Sequence, residues 1–151
     1  MDILVICTGN TCRSPMAEGI FKSLIKVKNL DVEISSAGTC AFDGDSVTNH
    51  AEKALKKMGI DISNHKSTLV HSYLIEKVDL ILTMTKDHKE TIIRNFPGAK
   101  DKVFLLNEYA FEEIKDVVDP FGGTLIDYEK ARDEIYLAAE EIVKKLVNSE
   151  Q

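Results

Sequence analysis

The sequence contains no tryptophan, only three prolines and three cysteines in 151 residues, and its 19 basic side chains are outnumbered by 25 acidic ones. Each scarcity removes a class of protein. Cys7, Cys12 and Cys40 are an odd number and too sparse for a disulfide scaffold, which fits a reducing compartment. They lack zinc-ligand spacing, and His50, His65, His71 and His88 do not pair with acids or cysteines at ligand spacing, so neither a metal nor a cofactor is expected. His71 and His88 read as solvated surface residues. A net charge of −6 leaves no broad polyanion-binding face, so nucleic acid is not an expected partner and any phosphate affinity must be local. The apolar run at the N-terminus, Ile3-Leu4-Val5-Ile6, is far shorter than a signal h-region or a membrane span and follows no basic segment. The expectation is a cytoplasmic protein without a membrane partner. With 44% hydrophobic and 29% charged residues, the composition suits one globular domain over residues 1–151.

What is present is concentrated in one octapeptide. The apolar run delivers Cys7-Thr8-Gly9-Asn10-Thr11-Cys12-Arg13-Ser14, and Pro15 follows at once. Ser14 suits an N-cap and Pro15 the first helical position, so a helix is expected to begin where the loop ends. Free N–H groups and the positive end of the helix dipole then face the loop, an environment that favours both a phosphate and a thiolate. Gly9 gives the backbone room to curl and Asn10 tolerates a left-handed conformation, so Thr8, Gly9, Asn10, Thr11 and Cys12 form an anion nest. Arg13 adds a planar fork for two phosphoryl oxygens. A nucleophilic sulfur in an anion cradle is phosphatase chemistry.

Strands and helices alternate through the rest of the chain. The first strand is followed by a helical pattern with Met16, Ile20, Leu24 and Val27 on one face, then by Val32 to Ser36 as a second strand. Ala51, Ala54, Leu55 and Met58 fit a helix stopped by Gly59, and a short helix is expected near 68–77. Val78–Met84 reads as a third strand, Thr85–Asn95 as a helix, Lys102–Leu106 as a fourth strand, and a long helix starts near Thr124 or Asp127. This order implies an α/β fold: a three-layer, doubly wound, four-stranded parallel sheet in order 2-1-3-4 with helices on both faces. Its ligand crevice lies beside strand 1, where the Cys7 loop sits.

Cleavage of a phosphate ester or phosphoramidate also needs an acid for the leaving group. Asp119 stands in the Pro/Gly-rich segment Asp116-Val117-Val118-Asp119-Pro120-Phe121-Gly122-Gly123, from which a carboxyl can reach over the site. From the local sequence alone, a simple Asp-Pro turn is the more common reading of this pair.

The octapeptide together with Asp119-Pro120 closely resembles the low-molecular-weight protein tyrosine phosphatase family, and the likeness extends through Ser36-Ala37-Gly38-Thr39 and Ser63-Asn64-His65. The resemblance implies that Cys7 is the nucleophile, Arg13 binds the phosphoryl group and Asp119 is the general acid and later base. It implies supporting roles for Asn10, Ser14, Ser36 and His65. Phosphotyrosine-cleaving members commonly carry a bulkier apolar residue at the position of Thr11 and aromatics after the Asp-Pro pair. This chain has Thr11, then Phe121 and two glycines. A hydroxyl wall suits the polar guanidinium of phosphoarginine better than a benzene ring. The combination resembles the bacterial protein arginine phosphatase branch, with tyrosine phosphatase as the alternative.

That likeness implies phosphorylated proteins as substrates and inorganic phosphate as product and inhibitor. Arsenate reductases resemble the same scaffold, but the cysteine pair they need after strand 3 is missing from Thr83 to Asn95. A non-catalytic phosphate-binding module would need neither Cys7 nor Asp119. Cys12 shares the loop with Cys7, so a protective disulfide under peroxide is a further expectation, beside a plain space-filling role.

Overall fold

Four consecutive apolar residues in a parallel strand are a sign of burial on both faces, and the first strand occupies the middle of the sheet. The computed structural model describes residues 1–149. β1 (Asp2–Cys7) pairs with β2 (Glu33–Gly38) on one side and β3 (Leu80–Thr83) on the other, and β4 (Val103–Leu105) completes the parallel order β2-β1-β3-β4. Ile3, Val5 and Cys7 point into one core layer, and Leu4 and Ile6 into the other, as the two-residue period of a strand requires.

The larger layer is made by α1 (Arg13–Lys28), α2 (Asn49–Lys56), α5 (Leu106–Phe111) and α6 (Leu125–Ser149). On α6, Tyr128, Ala131, Ile135, Ala139, Ile142 and Leu146 are all buried, which is the expected stripe. The smaller layer holds α3 (Ser72–Lys77), α4 (Lys86–Asn95) and a 3₁₀ turn over Pro97–Lys102, packed on Ile81 and Val103 through Ile75, Ile92 and Ala99. No helix among the described residues is long and apolar enough to cross a membrane.

Several local expectations are corrected. α1 begins at Arg13, one residue before the expected cap, so Ser14 lies inside the helix and Pro15 is its third residue. Proline is tolerated there because the amides of the first turn lack intrahelical partners in any case. Val27 is 77% exposed, and Phe21 and Ile25 take its expected place in the core. β2 runs on to Gly38, and residues 68–71 are extended, with Leu69 bridged to Gly38. α2 closes at Lys56, and its chain reverses through Gly59 at φ 76°. Leu106 leaves the fourth strand to start α5, which follows β4 without a loop because the Glu108 carboxylate accepts the Leu105 N–H at 3.0 Å.

Gly38 brings the sheet to the octapeptide. A Cβ built on it would overlap the Thr8 carbonyl oxygen and lie 2.9 Å from the Asn10 nitrogen, both backbone atoms of the loop. Gly38→Ala should therefore push the loop aside, lowering stability by about 1–3 kcal/mol. Thermal unfolding and phosphate affinity measured together check this: a variant with parental values for both would show that the loop yields freely.

Candidate active site

The octapeptide leaves the carboxyl end of β1 and enters α1 in a single curl. Its left-handed residue is Asn10, at φ 56°, whereas Gly9 takes no positive φ and a Cβ there would make only ordinary contact with Thr11. Among the described residues, no backbone carbonyl accepts a hydrogen bond from the amides of Gly9 through Ser14. These amides are available to an anion, as the nest requires.

Asn10 is fully buried and its side chain is completely used. Oδ1 accepts the Thr68 N–H at 2.9 Å, which fixes the orientation of the amide. Nδ2 then donates one hydrogen to Ser14 Oγ at 2.7 Å and the other to Ser36 Oγ at 2.9 Å. Ser36 passes its own hydrogen to Glu18, and Glu18 is also paired with Lys22 at 2.6 Å. Ser14 Oγ lies 2.9 Å from Cys7 Sγ, and its hydrogen is free to point at the sulfur because its acceptor side faces Asn10. The Asn10 carbonyl can only accept, so His65 donates to it from Nε2 at 2.8 Å. Ser14, Ser36 and His65 are thus all brought to the loop by hydrogen bonds. Ser14 does so from within the helix and makes no side-chain capping bond.

Arg13 is also buried. Its Nη1 donates to the Val117 carbonyl at 2.8 Å, and Nη2 lies 3.5 Å from the Asp119 carboxylate, whose side chain is 53% exposed. Val117 is itself pinned, since its side chain is buried and its N–H donates to the Met84 carbonyl at the end of β3. Asp119 accepts the Phe121 N–H at 3.0 Å, the turn expected of Asp-Pro, while its second oxygen faces Arg13. Asp116 is occupied elsewhere, accepting the Lys86 N–H at the start of α4.

These parts surround a hollow of about 200 Å³ lined by Cys7, Thr8, Gly9, Thr11, Cys12, Arg13, Asp119 and Phe121. A larger hollow, about 820 Å³, lies behind α1 with Ser36 and His65 in its wall. The smaller one gathers Cys7, Arg13 and Asp119, the residues expected as nucleophile, phosphoryl-binding cation and acid, and it is the candidate site. Phe121 stands at its mouth, 71% exposed. Cys7 and Cys12 are free thiols, and Cys12 Sγ rests 3.4 Å from the Tyr128 hydroxyl. Burial, then the bond to Cys12, pushes the Tyr128 phenol up to about 12. Tyr128 remains a neutral hydroxyl beside the loop.

One residue was missed. His88, expected at the surface, is 6% exposed, and its Nε2 lies 2.8 Å from Thr8 Oγ1. The available signal was helical spacing, since His88 precedes Ile92 by four positions and the two form the buried face of α4. Burial, and secondarily the Arg13 guanidinium, pushes the imidazole down to about 4 from its ordinary 6.5. Among the described residues no cluster of His, Cys, Asp or Glu is suited to hold a metal ion.

Residues 2–151 match the family described as low molecular weight phosphotyrosine protein phosphatase. The chain belongs to that family. It is 44% identical to a protein-arginine-phosphatase of Bacillus subtilis strain 168 over 146 residues, 97% of each chain. It is 37% identical to the low molecular weight protein-tyrosine-phosphatase PtpB of Staphylococcus haemolyticus, over 89% of this chain and 92% of the other. Among solved structures, a Cys-to-Ser mutant of the YwlE arginine phosphatase with a phosphorylated active-site serine superimposes with a TM-score of 0.95 at 42% identity, covering 97% of this chain and 95% of that one. The low molecular weight phosphatase fold therefore covers the whole described sheet and its helices.

The depressed imidazole makes a pH prediction. An unfolded chain takes up a proton at His88 near pH 6.5, whereas the native chain refuses it until about pH 4, so stability present above 6.5 is lost as pH falls through that window. His88→Gln should remove this component, and its urea midpoint should fall less than the parent's between pH 7.5 and pH 5. Parallel losses in the two proteins would remove His88 as the source.

Proposed function

We propose that the protein hydrolyses phosphoarginine in proteins through a phosphocysteine intermediate on Cys7. The observation that carries this reading is the grouping of Cys7, Arg13, Asp119 and Thr11 around one hollow of about 200 Å³, which has room for a phosphoryl group and the head of its leaving group. The likeness to the protein-arginine-phosphatase of Bacillus subtilis supports the choice of substrate.

The phosphoryl group enters the nest, where the amides of Gly9 through Ser14 and the fork of Arg13 take its oxygens. Cys7 Sγ attacks phosphorus and the P–N bond breaks, while Asp119 gives a proton to the departing guanidine nitrogen. Arginine leaves as its stable guanidinium. Asp119, now a carboxylate, takes a proton from water as the water oxygen attacks the phosphocysteine and the P–S bond breaks. The leaving sulfur receives the Ser14 hydroxyl hydrogen bond, already aimed by Asn10. The Val117 carbonyl and Asp119 already orient Arg13, so little reorganisation is needed when the phosphoryl group arrives.

Thr11 supports the arginine reading because it lies in the wall of the hollow, and a desolvated guanidinium loses less beside a hydroxyl-bearing side chain than beside an apolar branch. Phe121 at the mouth is the feature that favours the alternative, phosphotyrosine, and the PtpB likeness points the same way. The deciding experiment compares phosphoarginine and phosphotyrosine in the same peptide. The parent should prefer phosphoarginine. Thr11→Ile should shift the kcat/KM ratio toward phosphotyrosine by about 10-fold or more. A strong parental preference for phosphotyrosine would hand the function to the alternative, with Cys7, Arg13 and Asp119 in the same roles.

Asp119→Asn tests the acid separately. General acid catalysis is worth about 100- to 10,000-fold, and less when the leaving group departs easily. The variant should lose more activity on phenyl phosphate than on p-nitrophenyl phosphate. Equal activity to the parent on both would reduce Asp119 to a turn former.

The same geometry supports redox sensitivity. Peroxide would oxidise the Cys7 sulfur to a sulfenic acid, and the Cys12 thiol would condense with it to a disulfide with loss of water. Cys12 would have to give up its Tyr128 and Thr48 neighbours to do so.

A further inference from the structure

A second groove opens from the candidate site. It has a volume of about 490 Å³ and shares Thr8, Arg13 and Asp119 with the Cys7 hollow, so a chain whose phosphorylated residue enters the hollow has neighbours within its reach. Its other walls come from the start of α4 and the 116–118 segment. Three carboxylates, Asp87, Asp116 and Asp119, line it together with the hydroxyls of Thr85 and Thr91. The only cation in the lining is Arg13, which is already paired with Asp119 and is committed to the phosphoryl group in the hollow.

Two features that turn a groove toward anions, a free helix start and a charged histidine, are absent here. The start of a helix normally presents free amides, but here Asp116 accepts the Lys86 N–H and Thr85 accepts the His88 N–H. A histidine could have added positive charge, but burial and Arg13 keep His88 neutral. The imidazole itself keeps a buried acceptor unpaired beside the groove. It forms part of the groove wall, is more than nine-tenths buried, and its Nδ1 has no hydrogen-bond partner among the described residues. When Nε2 carries the proton and donates it to Thr8, Nδ1 is an acceptor for an N–H.

We propose that this groove seats a lysine or arginine side chain of the protein substrate, close in sequence to the phosphorylated residue. The inference rests on the reading that the Cys7 hollow takes phosphorylated residues of proteins, and it adds what those proteins carry beside them. Asp87 and Thr91 are the residues that set the preference, because they line the groove without lining the hollow.

The test uses four peptides: phosphoarginine or phosphotyrosine, each flanked on both sides by lysine or by glutamate. The lysine-flanked member of a pair should show about two- to fivefold higher kcat/KM at low salt, the scale of exposed ion pairs, with the gap narrowing as salt is added. Asp87→Asn should narrow the gap, and Thr91→Lys should reverse it in favour of glutamate. p-Nitrophenyl phosphate, which has no flanking residues, reports whether each variant is folded. Equal rates for lysine and glutamate peptides overturn the proposal. So does a lysine preference that both variants leave untouched, since the overall charge of the chain would then explain it. Loss of turnover on p-nitrophenyl phosphate in step with the peptides would make Asp87 structural and also overturn it. If the phosphoarginine pair is not cleaved while the phosphotyrosine pair is, the arginine reading fails and the groove is judged on the phosphotyrosine pair alone.

Discussion

The site depends on one buried asparagine held in a left-handed conformation. An L-residue pays about 1–2 kcal/mol to stand there, and each buried polar group left without a partner would add about 1–3 kcal/mol more. Asn10 avoids the second cost everywhere but at its main-chain N–H, which stays open to an anion: both side-chain amide hydrogens, the amide oxygen and the main-chain carbonyl all have partners. Those partners come from α1, β2 and the 65–68 segment. The curl that turns the loop amides inward is therefore fixed by three separate parts of the fold. Replacing Asn10 by glycine would relieve the backbone and orphan the rest.

The same hydrogens decide what the sulfur meets. A serine hydroxyl can donate or accept, and beside a thiol its direction would be open. Here the Asn10 amide has already filled the acceptor side of Ser14, so the remaining hydrogen goes toward Cys7. Local positive character is built in an acidic chain by the same economy of direction. Arg13 is clamped by a carbonyl and a carboxylate, and the loop amides are left without protein acceptors. A net charge of −6 is no obstacle to binding an oxyanion when the donors are this close.

Local cues were legible in the sequence, and cross-chain ones were not. The octapeptide, the left-handed Asn10, the Asp119 turn and the strand order could all be read, because each follows from neighbours in sequence or from the rules of right-handed crossovers. His88 is hidden in the polar run Lys86-Asp87-His88-Lys89, and its partner Thr8 is 80 positions away in sequence, at the end of the neighbouring parallel strand. Glu18, on an otherwise ordinary helix, gives no sign that it accepts from Ser36. The cap lies at Cys12, two residues before Ser14, and that shift changes the role of Ser14 from holding the helix to facing the sulfur. Apolar periodicity was too coarse for α5, only six residues long, where a single glutamate starts the helix immediately after the strand.

The hydrogen bond from Arg13 to Val117 joins residues 104 positions apart, and Cys12 meets Tyr128 across 116. Loop closures of that span are slow, and they come late in any folding sequence that begins with local contacts. During synthesis, which runs at roughly 5–20 residues per second, the cysteine loop is made many seconds before the segments that clamp its arginine and cover its second sulfur. A nascent chain therefore carries its reactive thiol well before it carries a phosphatase. The order of the elements along the chain leaves the partners of Arg13 to be supplied late, by the segment just before α6.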